Sequence, residues 1–257
     1  MPPPPAAPRV VAVIQARCRS ERLPGKVLLE LAGRPVVEHV VRSARAVASI
    51  DDVVLATSTE ATDDPLAAVG EALGVRTVRG SERDVLGRFV VALEGDRAGA
   101  VVRLTADNPL LDPAVAELVV RRFLCGDCDY ASNNGERSWP RGLDCEVISR
   151  EALRRSARDG HRPEDREHVT FHARTHPRDF RLVNVRAPEH EHWPELRLSL
   201  DTAADLALLR RVFDALHRVD APAPPPVGAV IAWLRRHPEV VALNSEVAQK
   251  PTLGTVL

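Results

Sequence analysis

The chain has 257 residues, of which 44% are hydrophobic and 28% are charged, and a chain of this length can bury a sizeable core without disulfides or a structural metal. Its 35 basic and 36 acidic residues give a net charge of -1, so no global positive field favours nucleic acid. No apolar run reaches the ~18 residues of a membrane span, and the four cysteines are too unevenly placed for a disulfide framework. These features predict a soluble, cytoplasmic protein that binds neither nucleic acid nor a membrane.

The first half of the chain alternates between short β-branched runs and segments with helical periodicity. The predicted elements, in chain order, are a strand over 10–14, a helix over 35–44, a strand over 52–56, a helix over 62–73, a strand over 75–78, a helix over 83–93, a strand over 100–104 and a helix over 113–124. Thr62 is the expected N-cap of the second helix, and Gly74 is its expected terminator. Strands that alternate with helices indicate one Rossmann-like α/β sheet, mostly parallel, with helices on both faces.

The second half of the chain continues this pattern less regularly. It predicts a strand near 145–148, helices near 150–157 and 164–175, strands near 180–185 and 196–200, a helix over 203–217 and a final helix near 228–236. Residues 1–8 are expected to form a disordered Pro-rich tail, residues 9–219 the main domain, and residues 220–257 a Pro-rich connector with a C-terminal helix and tail.

An Arg-rich loop follows the first predicted strand, at the sheet edge where parallel α/β folds bind ligands. Residues 15–26 include Arg17, Arg22 and Lys26 beside a Pro-Gly turn. Guanidinium and ammonium groups on one loop suit a polyphosphate, although the spacing is not that of a Walker loop. A solvated basic loop is the alternative. The same arginines surround Cys18, which favours a lowered thiol pKa and sensitivity to alkylation.

Two carboxylates are expected at the same sheet edge. Asp107 follows the predicted strand over 100–104, and Asp201 follows the predicted strand over 196–200. Such a pair can hold Mg²⁺ against a triphosphate, because Mg²⁺ takes one or two carboxylates together with phosphate oxygens and water. The alternative is that Asp201 caps the helix that follows it.

Eight short segments occur in an order that is more specific than any one of them. They are QARCRSERLPGK (15–26), LAGRP (31–35), ATST (56–59), GSERDVLGRF (80–89), RLTADNPL (103–110), PRGLDCEV (140–147), EHVT (167–170) and LDTAADL (200–206). The ordered set resembles the cytidylyltransferases that include the CMP-ketodeoxyoctulosonate and CMP-sialic acid synthetases. It is most similar to the spore-coat polysaccharide biosynthesis protein F type, over residues 10–215.

The resemblance implies a nucleotide-diphospho-sugar transferase fold and, over residues 9–219, a nucleotidyltransferase domain. It implies Mg²⁺-dependent transfer of CMP from CTP to an anionic sugar-like acceptor, with release of pyrophosphate, in glycan or secondary-metabolite biosynthesis. By the same resemblance, Asp107 and Asp201 are the metal ligands, and Arg17 and Lys26 are triphosphate clamps. The expected nucleotide-binding residues are Gln15, Ala16, Arg17, Arg22, Lys26, Thr57, Ser58, Arg88, Thr105 and Ala106. In one departure, Ser199 stands where some relatives carry a second Asp before the last metal ligand.

The acceptor side is expected in a segment that follows the fourth helix. Asp144 and Glu146 lie two residues apart in a predicted strand, so both would point to one face and could bind hydroxyl groups. A solvated strand face is the alternative. Arg141 is a candidate partner for an anionic acceptor, and the resemblance adds Glu167 and His168 as acceptor-side residues.

Several alternatives stay open at this point. A sugar-1-phosphate or phosphonate nucleotidyltransferase that uses CTP or another nucleoside triphosphate would need similar residues, and so would a nucleotide-binding protein without turnover. His168, His172 and His176 recur at four-residue spacing, which permits a zinc-binding module but offers no evident third kind of ligand. Arg88 is as consistent with an exposed helix arginine as with a nucleotide contact. The resemblance also implies a homodimer formed through residues 135–195.

Overall fold

The computed structural model describes residues 8–218 and 220–249. Most of the expected N-terminal tail, residue 219 and the last part of the expected C-terminal tail lie outside the described residues. The strands are β1 (Val10–Gln15), β2 (Glu30–Leu31), β3 (Arg34–Pro35), β4 (Asp52–Ser58), β5 (Arg76–Gly80), β6 (Ala100–Thr105), β7 (Tyr130–Ser132), β8 (Glu146–Ser149) and β9 (Leu182–Asn184). The helices are α1 (Val36–Ala46), α2 (Asp64–Ala72), α3 (Val85–Ala92), α4 (Pro113–Leu124), α5 (Arg150–Asp159), α6 (Pro163–Glu167), α7 (Phe171–Thr175), α8 (Ala203–Leu216), α9 (Val227–Leu234) and α10 (Pro238–Val241).

Seven strands form the main sheet, in the order β5-β4-β1-β6-β8-β7-β9, and β2 pairs with β3 in a small antiparallel ribbon. Strand β1 runs parallel to both of its neighbours, β4 and β6, and β4 runs parallel to β5. Strand β8 is antiparallel to β6 and β7, and β9 is parallel to β7. The expected mostly parallel α/β sheet is therefore confirmed, with β8 as the strand that runs the other way.

Both faces of the sheet are covered by helices, as the packing of β1 demonstrates. Its residues Val10, Ala12 and Ile14 belong to the core that includes α1 and α4, whereas Val11 and Val13 pack with α3 and α5 on the opposite face. A strand buried on both sides does not alternate polar and apolar residues, which explains its continuous apolar sequence. Within the described ranges, none of the helices is long and apolar enough to cross a membrane.

A second hydrophobic core lies beside the sheet and is built mainly from helices. Leu209 and Phe213 of α8 and residues of α9 fill it, together with the alternating leucines of the segment 196–200. The predicted strand over 196–200 is wrong, because the only β-bridge recorded for that segment among the described residues joins Arg141 and Arg197. The extended chain buries every second residue, each of them a leucine, against helices, and this produces the same sequence pattern as a strand.

Two predicted helices differ from the observed ones near the cleft. The helix expected over 164–175 is divided into α6 and α7, because Val169 between them has φ 44°. This left-handed conformation is strained for a β-branched residue, and it takes His168 out of the helix. Helix α2 begins at Asp64 after a short 3-10 turn, so Thr62 is not its N-cap.

The order in which the chain adds strands opens a cleft at one edge of the sheet. After β1, the chain adds β4 and β5 on one side of β1 and then crosses over to add β6 on the other side. The loops that leave the carboxyl ends of β1 and β6 therefore diverge. In open α/β sheets, ligands bind at such a switch point.

Candidate active site

A cavity of about 990 Å³ lies at the carboxyl ends of β1 and β6. Most of its wall comes from the loop after β1, through residues 15–22 and 24–27, and from residues 105–107. The sequence-predicted site residues that line it are Gln15, Ala16, Arg17, Arg22, Lys26, Arg88, Thr105, Ala106, Asp107, Glu167, His168 and Asp201. Residues far apart in the chain thus meet at one cavity.

Lys26 lies between the two carboxylates expected to bind metal. Its ammonium nitrogen is 2.6 Å from Oδ2 of Asp107 and 2.7 Å from Oδ1 of Asp201. Gly25, with φ 69°, turns the loop into the short 3-10 helix that begins at Lys26, and the lysine is only 9% exposed. Burial disfavours the charged form of Lys26, but the two carboxylates outweigh this effect and raise its pKa. Lys26 is therefore a buried cation that neutralises both acids.

Asp201 is surrounded by cations. Its Oδ1 atom accepts from Lys26, and its Oδ2 atom pairs with Arg22 at 3.0 Å and also with Arg197. Burial opposes ionisation of Asp201, but Lys26, Arg197 and Arg22 overcome this effect and lower its pKa to about 2. Asp201 therefore stays anionic across the neutral pH range.

Two backbone features place Asp201 beside Asp107. The amide of Leu200 donates to the carbonyl oxygen of Asp107 at 2.8 Å, which joins the two segments. The N-cap of α8 is Thr202, which forms a capping box with Asp205. Asp201 is therefore not the helix cap, and it lines the cavity instead.

The donor set at this position suits a hard divalent cation. Asp107 and Asp201 contribute carboxylate oxygens to one cavity, and Mg²⁺ usually takes one or two carboxylates with phosphate oxygens and water. In the part of the chain that the structure describes, no group of three or more His, Cys, Asp or Glu side chains gathers to hold a metal. The oxygen atoms of these two carboxylates are of the kind that a hard divalent cation prefers.

Asp63, which the sequence analysis did not single out, holds the Arg-rich loop in place. It is 1% exposed and accepts hydrogen bonds from the backbone amide of Cys18 at 2.7 Å and from the hydroxyl groups of Thr57 and Ser58. Burial alone would raise the pKa of Asp63, but these bonds lower it below its ordinary value. Thr57 and Ser58 do not line the cavity and instead support Asp63. The only sequence signal was its place before a helix start, which indicates capping rather than a contact with β1's loop.

Cys18 has the opposite acidity to the one expected. Burial, together with the negative charge of Asp63, raises the pKa of the Cys18 thiol to about 11. Arg17 and Arg19 pair with Glu82, at 3.9 and 3.2 Å. The expectation that nearby arginines lower this pKa is therefore wrong.

Arg88 is a buried cation on the cavity wall, with two donor atoms that have no hydrogen-bond partner among the described residues. It is 3% exposed, so the alternative of an exposed helix arginine is wrong. Among the described residues, its Nε and Nη1 atoms have no hydrogen-bond partner. Burial lowers the pKa of Arg88, and an unsatisfied buried donor is costly. Its guanidinium group is therefore suited to a polar or anionic ligand atom in the cavity.

Glu167 and His168 line the cavity at the end of α6. A carboxylate oxygen of Glu167 lies 3.9 Å from the guanidinium group of Arg17. Burial, reinforced by the positive charge of Arg103, lowers the pKa of His168 below its ordinary value. The imidazole is therefore neutral at pH 7 and can accept a proton.

The expected stripe of three histidines does not form. Val169 separates His168 from the helix, whereas the rings of His172 and His176 stack with their centroids 4.2 Å apart. The Nδ1 atom of His176 lies 2.7 Å from the carbonyl oxygen of His172. The geometry of these side chains is that of local packing around α7.

Glu146 is a buried counter-ion and does not line the cavity. It is 2% exposed, and its carboxylate accepts from Arg103 at 2.9 Å, Thr170 at 2.6 Å and Asn134 at 2.9 Å. Burial opposes its charge, but Arg103 and the other positive and hydrogen-bonding neighbours lower its pKa to about 2. Its oxygens are therefore occupied by the protein itself.

Asp144 and Arg141 also lie away from the cavity lining. Strand β8 begins at Glu146, so Asp144 precedes it, and the expected pair on one strand face does not form. Asp144 is held by two hydrogen bonds from Arg137, at 2.9 and 3.1 Å. The backbone of Arg141 pairs with the segment that carries Arg197. These residues support the chain around the site.

Comparison with known proteins agrees with the fold. A family model described as cytidylyltransferase matches residues 11–218. The spore coat polysaccharide biosynthesis protein SpsF of Bacillus subtilis is 34% identical over 236 residues, which are 90% of this chain and 95% of that protein. A solved cytidylyltransferase from Leptospira borgpetersenii is similar in fold, with a TM-score of 0.85 and 24% identity over 95% of this chain and 99% of that one. A CMP:2-keto-3-deoxy-manno-octonic acid synthetase solved with CTP has a TM-score of 0.61 and 21% identity, over 80% of this chain and 99% of that one. The match of the family model and the relationship to SpsF show that this chain belongs to the cytidylyltransferase family.

Proposed function

We propose that the protein transfers CMP from CTP to a hydroxyl group of an anionic, sugar-like acceptor and releases pyrophosphate. The observation that carries the proposal is the convergence of Lys26, Asp107 and Asp201 at a cavity lined by the Arg-rich loop. Membership of the cytidylyltransferase family favours CTP, and a protein of the same fold was solved with CTP bound.

In this reaction the acceptor oxygen attacks the α-phosphorus, and the bond from that phosphorus to the bridging oxygen of the β-phosphate breaks. The hydroxyl proton leaves the acceptor, and negative charge grows on the departing pyrophosphate. Lys26, Arg22 and Arg17 are cations on the cavity wall, and preorganised charges aimed at developing negative charge are a large source of rate enhancement. Their role is to bind the triphosphate and to stabilise the leaving group.

Asp107 and Asp201 are the residues that would hold Mg²⁺, which supplies charge neutralisation at phosphate oxygens when it is bound. Before substrate binds, the ammonium group of Lys26 holds both carboxylates in place and balances their negative charge. On this account the ammonium group of Lys26 passes from the carboxylates toward the phosphates. The four-carbon stem of lysine is flexible, so the ammonium group can move while the backbone of the loop stays in place.

Arg88 contributes to nucleotide binding. Its Nε and Nη1 donors, which are unpaired within the described part of the chain, gain partners when the nucleotide enters the cavity, and this removes the cost of leaving them unsatisfied. Gln15, Thr105 and Ala106 complete the nucleotide side at the carboxyl ends of β1 and β6.

Glu167 and His168 form the acceptor side. As general base, His168 is better placed than Glu146, because His168 lines the cavity and is neutral at pH 7. Glu146 is enclosed, with a pKa of about 2, and is a weak base.

A homodimer and a cytoplasmic location stay predictions of the sequence.

The test is pyrophosphate release in the presence of Mg²⁺, with CTP, UTP, ATP and GTP each offered to keto-sugar acids, sugar 1-phosphates and phosphonates. We expect release with CTP and one class of anionic acceptor, and loss of release in Lys26→Ala and Asp107→Ala. Asp127→Asn, which alters an exposed carboxylate paired with Arg122, is the matched control. Release with another triphosphate would reassign the nucleotide, and CTP binding without release from any acceptor would favour a nucleotide-binding protein.

A further inference from the structure

We propose that the C-terminal segment, residues 244–249, positions Asp201 through two arginines, and this inference rests on the proposed roles of Asp201 and Arg22 in the CTP site. The family match ends at residue 218, so this segment lies outside the part of the chain that the family model covers. The inference names Asn244 and Gln249 as positioning residues.

Asn244 fixes two residues next to Asp201 in the fold, Arg197 and Asp205. It is 4% exposed, and its side-chain amide donates to the carbonyl oxygen of Arg197 at 3.1 Å and to Oδ1 of Asp205 at 2.9 Å. Asp205, which is fully buried, also accepts from Nε of Arg197 at 2.8 Å and from the backbone amide of Asp201 at 2.9 Å. One buried carboxylate therefore fixes both the arginine and the backbone that carries Asp201, and Asn244 fixes that carboxylate.

The end of the segment contacts both arginines that pair with Asp201. The side-chain oxygen of Gln249 accepts from Nη1 of Arg197, and the carbonyl oxygen of Ala248 accepts from Nη1 of Arg22 at 3.5 Å. Both arginines are directed at the same atom, Oδ2 of Asp201. The segment thus contacts the Nη1 atom of each arginine, while the Nη2 atom of each pairs with Asp201.

The two carboxylate oxygens of Asp201 have different partners in this arrangement. With Oδ2 occupied by Arg22 and Arg197, Oδ1 is the atom turned to Lys26. If Gln249 no longer accepts from Arg197, that guanidinium group loses one of its anchors and can rotate. Arg22 and Arg197 then spend less time in the arrangement that presents Oδ1 and a phosphate-binding guanidinium group to the cavity.

The experiment compares variants of the full-length protein at two exposed positions, Gln249 and Glu246. Gln249→Met keeps the side-chain length but removes the accepting oxygen, Gln249→Glu retains an accepting oxygen, and Glu246→Ala changes an exposed neighbour. The measurements are KM and kcat for CTP with Mg²⁺, and the dissociation constant of CTP by calorimetry both with Mg²⁺ and with EDTA. Thermal unfolding of each variant is recorded beside them.

We expect Gln249→Met to raise KM and both dissociation constants about fivefold, the size expected for the loss of one typical hydrogen bond. We expect kcat to stay within about twofold, because the change weakens binding of the ground state and of the transition state equally. Gln249→Glu and Glu246→Ala stay close to the unmodified protein, and all four proteins unfold at similar temperatures.

Two results would overturn the inference. One is a Gln249→Met protein that binds CTP as well as Glu246→Ala does. The other is a Gln249→Glu protein that is as weak as Gln249→Met, since the accepting oxygen would then be irrelevant. Failure of the unmodified protein to bind CTP or release pyrophosphate is a different outcome, because it removes the proposed function itself and the inference with it.

Discussion

The ammonium nitrogen of Lys26 lies 2.6 Å from a carboxylate oxygen of Asp107, although 81 residues separate them in the chain. Strands β1 and β6 are parallel neighbours, with Gln15 opposite Thr105 at their carboxyl ends. The loops that follow these two residues therefore start side by side. The pairing of Lys26 with Asp107 is a direct consequence of the strand order.

Replacing Lys26 by Met should abolish most of the activity while the chain still folds. The variant lacks the cation that serves the triphosphate and removes the ammonium group that lies between Asp107 and Asp201. We expect turnover to fall about 100-fold or more, as for loss of one preorganised electrostatic group. Steady-state pyrophosphate release measures this, with Arg121→Met, a change at an exposed arginine, as the control. Turnover within threefold of the unmodified protein would rule out the assigned role.

Replacing Asp63 by Asn should loosen the Arg-rich loop. The change weakens the bonds to the Cys18 amide and to the hydroxyl groups of Thr57 and Ser58, so we expect a stability loss of about 2 kcal/mol and a higher KM for CTP. Urea unfolding and CTP kinetics measure the two effects. Asp64→Asn alters the adjacent, exposed carboxylate and should change stability by less than about 0.5 kcal/mol. Equal effects of the two variants would contradict the supporting role of Asp63.

Cys18 should resist alkylation despite the arginines around it. With a pKa of about 11, only about one thiol in a thousand is the reactive thiolate at pH 8. Cys125 is exposed. Iodoacetamide labelling followed by mass spectrometry should therefore modify Cys125 well before Cys18. Faster labelling of Cys18 would show that the arginines control its acidity after all.

Glu146 should stabilise the fold in a manner that depends on pH. Its pKa is lowered to about 2 in the folded chain, against roughly 4.3 in an unfolded one. Its contribution is therefore complete above about pH 4.3 and is lost as the pH falls toward 2. Glu146→Gln should cost about 3 kcal/mol at pH 7, because Arg103 keeps a buried charge without its partner, and should cost less at pH 3.

Chemical denaturation at the two pH values checks the Glu146 prediction. Glu136→Gln is the matched control, because Glu136 pairs with Arg186 at the surface and surface pairs contribute little. A Glu146→Gln protein as stable as Glu136→Gln at pH 7 would contradict the account of Glu146 as a structural counter-ion.

His168 should produce the acidic limb of the pH-rate profile. The pKa of His168 is lowered from the ordinary value of 6.5, so the imidazole is neutral at pH 7. It becomes protonated only as the pH falls through this lowered pKa. The ratio kcat/KM should then decline at acidic pH. His168→Gln should lose about 100-fold in kcat, a typical contribution of general base catalysis, and should lose this acidic limb. A variant that keeps both the rate and the limb would exclude His168 as the base.

The parts of the fold that the sequence predicts well are those whose pattern has a single physical cause. Strands β1, β4 and β6 are mostly apolar because both of their faces are buried. Their order places Lys26 and Asp107 at one edge, so this half of the site follows from the sequence.

The errors arise where one pattern has two physical causes. The alternating leucines of 196–200 pack on helices, yet they match a strand pattern equally well. The four-residue spacing of the histidines at 168, 172 and 176 matches a helix. Only the folded structure shows that the backbone at Val169 interrupts that helix. The roles of Asp63 and Gln249 depend on partners 45 and 52 residues away, and no local pattern reveals such contacts.

The most direct test of the account is a ³¹P NMR time course of CTP, Mg²⁺ and the acceptor panel with the unmodified protein and with Asp107→Ala. We predict that, with at least one anionic acceptor, the CTP signals give way to equal amounts of a CMP phosphodiester and pyrophosphate, and that Asp107→Ala leaves CTP intact. Release of orthophosphate without a CMP-linked product, or the same product yield from Asp107→Ala, would contradict the claim that this site transfers CMP.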